Sequence, residues 1–213
     1  MTRSKKAKEP TRDELRWAPY SRSQNKSQDL ESKRQTLRTI DDKMKALVAE
    51  ASHWVGVREK GSNRGPEVEA FQKAVDGRAV GEPWCLAFVF YCIEAVDKAV
   101  DGPETWLFKT EHVMTCWNRT LMPARIQALD VRSGDLIIWQ HFKNGKPTAM
   151  GHAGIVARVL SPGKFETIEG NTSDGRSVVR EGDGVHRRVR GINDSGTMRV
   201  KGFLRPWGIR PAT

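Results

Sequence analysis

No run of about 18 consecutive apolar residues occurs in this 213-residue chain, which excludes a transmembrane helix. The basic N-terminus, MTRSKKAKEPTRDELRW, is not followed by an apolar segment, so a secretory signal peptide is not expected either and the chain reads as one made in the cytoplasm. Cysteine is scarce. Three thiols are an odd number, which argues against a disulfide scaffold and leaves at least one of them free. Cys85 and Cys92 stand seven residues apart, with no Cys-x-x-Cys and no His-x3-His, so a zinc site is poorly supported. A Walker loop and a dinucleotide fingerprint are also missing. No cofactor and no metal are therefore expected. At 38% hydrophobic residues the chain has less apolar material than a wholly globular one, so part of its length should lie outside the core.

Positive charge is what the chain has in excess, with 36 Lys and Arg against 26 Asp and Glu. It is unevenly spread: residues 1–45 carry a net +6 and the remaining 168 residues a net +4. Residues 1–36 hold few large apolar groups, Leu15, Trp17, Tyr20 and Leu30 among them. Such a segment cannot offset its ordering entropy by burial, and it reads as a basic tail, disordered or loosely docked, preceding a single domain over residues 37–213. A tail of this charge attracts polyanions such as nucleic acid or an anionic cell envelope.

Helical periodicity starts at Ile40, where Ile40, Met44, Leu47, Val48, Ala51 and Val55 share one face. Pro66 suits the first turn of a short helix that Asp76-Gly77 ends. The most apolar segment, Trp84 to Ile93, predicts a buried helix over about 84–99, and helical spacing recurs in 111–118. After Pro123 the texture changes to short β-branched or aromatic runs, at 135–140, 152–160, 164–170, 184–189 and 202–205. Helices first and strands after predict an α+β domain, with the helices packed on a small antiparallel sheet of about five strands.

Three places in this pattern could carry chemistry. Cys85 stands at the start of the buried helix, where free backbone N–H groups and the helix dipole favour a thiolate and could hold an oxyanion. Cys92 and Cys116 read as buried structural thiols. His152 opens a strand between small residues, in Gly151-His152-Ala153-Gly154. An imidazole there could take the thiol proton and return it to a leaving amine. Glu169 and Asn171 lie on the next strand. If Pro162-Gly163 closes a hairpin with Val159 opposite Lys164, paired residue numbers sum to 323. His152 then faces Asn171, and Glu169 is its diagonal neighbour on the same face. Either could accept from Nδ1–H and fix the ring's tautomer.

Taken together, Pro83-Trp84-Cys85-Leu86-Ala87-Phe88-Val89, Gly134-Asp135-Leu136-Ile137, Gly151-His152-Ala153-Gly154-Ile155-Val156, Ile168-Glu169-Gly170-Asn171-Thr172 and Gly202-Phe203-Leu204-Arg205-Pro206 resemble the cysteine, histidine-dependent amidohydrolase/peptidase (CHAP) domain. The resemblance spans about residues 40–210. It implies a papain-like fold and cell-wall-lytic, lysin-like cleavage of peptidoglycan amide bonds through a thioester acyl-enzyme. It also implies Cys85 as nucleophile, His152 as base and Glu169, with Asn171, as orienting group. The stretch at residues 61–67 lacks the clustered carboxylates of the calcium loop found in some phage members, so no calcium is expected. Asn63 and Glu59 read as loop caps near the cleft. The substrate would be reached after release or non-classical export, with the basic tail on the anionic envelope and the protein a monomer. Two other classes compete: a catalytically inactive binding module, and a basic nucleic-acid-binding protein. The latter lacks any recognition motif, so no nucleic-acid partner is expected. A small amide as substrate is a further alternative.

Overall fold

The most apolar segment of the sequence forms the helix about which the rest is arranged. In the computed structural model, which describes residues 12–175, 182–193 and 196–208 and the side chains from residue 28 onward, α3 (Cys85–Ala99) is buried on several faces at once. A helix apolar on several faces must be enclosed. It packs against α1 (Arg12–His53), α2 (Pro66–Asp76) and two strands of the sheet. α2 starts at Pro66 and stops at Gly77, whose left-handed φ of 83° lets its N–H bond back to Lys73 O at 2.9 Å. A short α4 (Val113–Arg119) follows α3.

The first helix departs from expectation. It begins at Arg12 rather than Ile40, so from Arg12 on the segment expected to be a disordered tail is helical; residues 1–11 lie outside the described residues. The physical reason is that residues 20–53 contain neither Gly nor Pro and are rich in Lys, Arg, Gln and Glu. Once a docked helix is nucleated, each such residue extends it at little cost. An ion pair from Lys33 to Asp29, one turn apart at 2.8 Å, lies along this extension. Among its described side chains, Ile40, Lys43, Met44, Leu47 and Ala51 are buried, whereas Leu30 and Leu37 are at least half exposed. The period in the sequence thus marks where α1 docks, not where it starts.

The sheet has six antiparallel strands rather than about five, in the order β1-β6-β2-β3-β4-β5. The strands are β1 (Arg125–Ile126), β2 (Leu136–Lys143), β3 (Lys146–Ser161), β4 (Lys164–Thr172), β5 (Gly184–Gly191) and β6 (Met198–Leu204). The two-residue β1 is the addition, paired with the end of β6. β3 begins before His152, because Asn144 and Gly145 both adopt left-handed φ (51° and 73°) and close a two-residue hairpin with β2.

One face of the sheet, with Leu136, Ile138, Ala153, Ile155, Ile168 and Leu204, joins the helices in the main core. The alternate residues Ile137, Trp139, Val156, Phe165 and Phe203 form a smaller apolar cluster. Each large side chain so buried contributes roughly 1.5–3 kcal/mol.

The β3–β4 register decides where the candidate residues lie. Near the turn it differs from expectation: Ser161 pairs with Lys164 and Val159 with Phe165. Two irregularities in the ladder then bring it back, so that Val156 pairs with Thr167 and Ile155 with Ile168, the expected sum of 323. The error at the loop has therefore vanished where the site begins.

Candidate active site

Cys85 is the first residue of α3 and is 3% exposed. The residue before it, Trp84, makes no side-chain cap. The first closing bond of the helix runs from Phe88 N–H to Trp84 O at 2.9 Å. The backbone N–H groups of Cys85, Leu86 and Ala87 precede it and have no carbonyl of their own helix to bond. Trp84 is locked instead by its indole, which donates to Glu59 Oε1 at 2.7 Å, while Glu59 Oε2 accepts from Asn63 N–H at 3.0 Å. Glu59 and Asn63 thus cap the loop and hold the start of α3. Gly170 allows close approach from the sheet: a Cβ there would stand 2.8 Å from both Phe88 Cβ and the Trp84 ring.

His152 is directly opposite Trp139 across the β2–β3 ladder, with ring centroids 5.5 Å apart. It is fully buried. Its Nε2 lies 3.0 Å from Glu169 Oε2. Because an ionised carboxylate only accepts, Nε2 carries the hydrogen and Nδ1 is left as the acceptor in the neutral ring. The orienting contact is therefore at Nε2, not at Nδ1 as expected. Nδ1 has no partner within hydrogen-bond geometry among the described residues. Burial opposes the charged ring, yet its interactions with Cys85 and Glu169 prevail and raise the His152 pKa to about 9.

Glu169 is fully buried and accepts four hydrogen bonds. Oε1 takes Thr167 Oγ1–H at 2.6 Å and Arg190 Nε–H at 2.8 Å. Oε2 takes the His152 ring and Arg190 Nη2–H at 2.9 Å. Burial favours the protonated carboxyl, but Arg190 and His152 outweigh it and hold Glu169 well below the usual carboxylate range. Gly154 makes the approach possible, since a Cβ there would stand 2.7 Å from Glu169 Cγ.

Asn171 is buried close by in sequence but is not among the ring's hydrogen-bond partners. Its φ of 51° turns the backbone at an irregularity of the β4–β5 ladder, and its Oδ1 accepts from Gly182 N–H at 3.1 Å. It holds the β4–β5 connection, so of the two proposed orienting groups only Glu169 reaches the imidazole. The other thiols stay apart. Burial pushes the Cys92 thiol well up and the Cys116 thiol up to about 11. Among the described residues no three or more His, Cys, Asp or Glu side chains are grouped to hold a metal ion.

Residues 77–171 match the family model of the CHAP domain. Over these residues the chain is similar to a CHAP domain. No curated protein and no solved structure matches. CHAP domains are in general hydrolytic, of the amidase or peptidase type associated with peptidoglycan. The CHAP match takes in Cys85, His152, Glu169 and Asn171, but it ends before Arg190 on β5.

Arg190 is the member of this buried network that the sequence reading missed. It lies opposite Phe165 in the β4–β5 ladder, whereas His186 lies opposite Glu169. Its long side chain reaches back along the strand to Glu169. Finding it requires the β4–β5 register, which the sequence does not state. Thr167 was more accessible, since residues two apart on a strand share a face.

Proposed function

We propose that this CHAP-like domain is a cysteine-dependent peptidoglycan amidase or endopeptidase, with Cys85 as nucleophile, His152 as general acid–base and Glu169 as the group that orients the ring. The observation that carries this reading is a fully buried imidazole whose Nε2 lies 3.0 Å from a buried glutamate that is itself held by Arg190, in the same core as the helix-start thiol of Cys85. On reaction, His152 takes the thiol proton. The thiolate attacks the amide carbonyl carbon, and the free N–H groups at the start of α3 stabilise the oxyanion. The imidazolium then gives its proton to the leaving nitrogen as the C–N bond breaks, leaving a thioester on Cys85. Water attacks that thioester while His152 accepts its proton, and the acid product departs as the thiol is restored.

Arg190 and Thr167 position the base through Glu169 and do not touch substrate. The net +6 charge of residues 1–45 supports a role for the N-terminal segment in contact with an anionic envelope.

The test is digestion of purified peptidoglycan, with mass spectrometry of the released fragments. New amino and carboxyl termini at an amide bond are expected from the wild type. Well-folded Cys85→Ala should release none. Substantial hydrolysis by that variant rejects the mechanism.

A further inference from the structure

A cavity of about 370 Å³ opens beside Cys85, walled by the turn before α3, the start of α4 and the β3 segment leading to His152. A group to be attacked by Cys85 must lie within bonding reach of its sulfur, so the nucleophile marks this space as the place of the substrate residue next to the scissile amide. The cavity is large enough for one amino-acid residue with a long side chain. Its walls are of two kinds. Pro83, Val113 and Met150 provide an apolar surface, and Glu82 and Glu111 provide carboxylates.

Among the described residues the lining holds no lysine or arginine to balance these charges, and His112 is the one basic side chain there. The nearby Arg78 is engaged by Asp76, with its Nε 2.9 Å from Asp76 Oδ2. Burial, followed by repulsion from Glu82 and Asp76, raises the Glu111 carboxyl above its ordinary pKa, with His112 and Arg78 acting in the opposite sense. Glu82 Oε2 accepts from Val80 N–H at 2.9 Å, while its Oε1 is buried without a hydrogen-bond partner among the described residues. An apolar wall with an acceptor-rich, negative end fits an aliphatic chain that terminates in an ammonium group.

We propose that Glu82 and Glu111 form a specificity subsite for a diamino-acid residue of the substrate, binding its free side-chain ammonium while Pro83, Val113 and Met150 line its methylenes. This inference rests on the peptidoglycan reading and narrows it to stem peptides whose diamino acid lies next to the cleaved bond. The two glutamates touch the substrate away from the reacting atoms. Their contribution should therefore appear in the choice between substrates rather than in the chemical step.

The experiment compares kcat/KM for a soluble stem-peptide fragment carrying a free side-chain amine with that for the same fragment after N-acetylation of that amine. Wild type should prefer the free amine by about tenfold or more, the factor that corresponds to roughly 1.4 kcal/mol. In E82Q/E111Q the preference should fall to about twofold or less, with hydrolysis of the acetylated fragment retained. Glutamine keeps the acceptor for Val80 N–H, and an unchanged melting temperature would confirm that the fold is intact. Equal hydrolysis of both fragments by wild type overturns this inference alone. So does a preference that survives in E82Q/E111Q. Failure of wild type to cleave either fragment or purified peptidoglycan overturns the functional reading as well.

Discussion

Two arginine–carboxylate forks of nearly the same geometry stand in different parts of the sheet. Arg205 meets Asp135 through Nε and Nη2, each at 2.9 Å. Arg190 meets Glu169 in the same way, at 2.8 and 2.9 Å. Their electrostatic outcomes are opposite. Burial dominates at Asp135 and raises its pKa in spite of Arg205, whereas Glu169 is held well below the usual range by Arg190 and His152 together. Arg205 retains 22% side-chain exposure, while Arg190 has none. Asp135 spends its remaining capacity on Arg132 N–H, in the turn that leads into β2. Glu169 spends its own on a histidine. The same pair of groups therefore serves architecture in one place and holds a charged acceptor for an imidazole in the other. In both places the arginine is the largest lowering influence; Glu169 has His152 as a second, and its arginine is fully buried.

The largest effect should come from that histidine. His152→Ala should lower kcat/KM by on the order of 10²–10⁴-fold, the usual worth of a general acid–base. Glu169→Gln should cost less, because an amide can still orient the ring. The wild-type activity should fall as pH rises through about 9, where the imidazolium loses the proton that the leaving group needs. Without the carboxylate that helps to raise it, this alkaline limb should move to lower pH in Glu169→Gln. An unmoved limb would mean that Glu169 does not act on the histidine. The same shift carries a stability consequence. With the folded pKa raised above the ordinary value of 6.5, the contribution of His152 is fully present below about 6.5 and lost as pH rises through about 9. Urea midpoints across that window, compared with those of His152→Gln, measure it.

Removing either arginine tests the forks directly. Arg190→Met and Arg205→Met should each destabilise the domain by roughly 3–5 kcal/mol, since each strands a buried carboxylate. Only Arg190→Met should also move the acid limb of the activity profile upward, because Glu169 then loses the main group that keeps it ionised. An equal movement in Arg205→Met would erase the distinction between the two pairs.

A finer test lies at Gly154. An alanine methyl there would press on Glu169 Cγ from 2.7 Å. Displacing Glu169 by part of an ångström should reduce kcat/KM by on the order of 10–100-fold. The overpacking itself should cost about 1–3 kcal/mol. Activity unchanged in a folded Gly154→Ala variant would show that the site tolerates a misplaced carboxylate. The smallest effect on the domain is expected from deleting residues 1–35, because residues 28–35 of α1 are exposed on nearly all sides. The melting temperature and hydrolysis of soluble fragments should hardly change. Retention on whole envelopes should weaken, most visibly at low salt.

Much of this could be read from the order of residues. The apolar density of 84–99 determined a buried helix, the turn at 81–83 put Cys85 at its start, and the β-branched and aromatic runs at 152–160 and 164–170 made strands. These are local properties, set by side-chain period and turn chemistry within a few residues. The Asn144-Gly145 hairpin was equally legible and lengthens β3 beyond the expected strand. What only the tertiary structure decided depends on register and reach between segments far apart in the chain. Two compensating ladder irregularities restored the pairing that sets Glu169 beside His152, and the left-handed turn at Asn171 directed its side chain to Gly182 instead. Arg190 joined the site across a ladder whose register no local pattern announces. A shift of one residue exchanges the two faces of a strand at almost no change in local propensity, so the identity of the partners is settled by packing across the whole sheet.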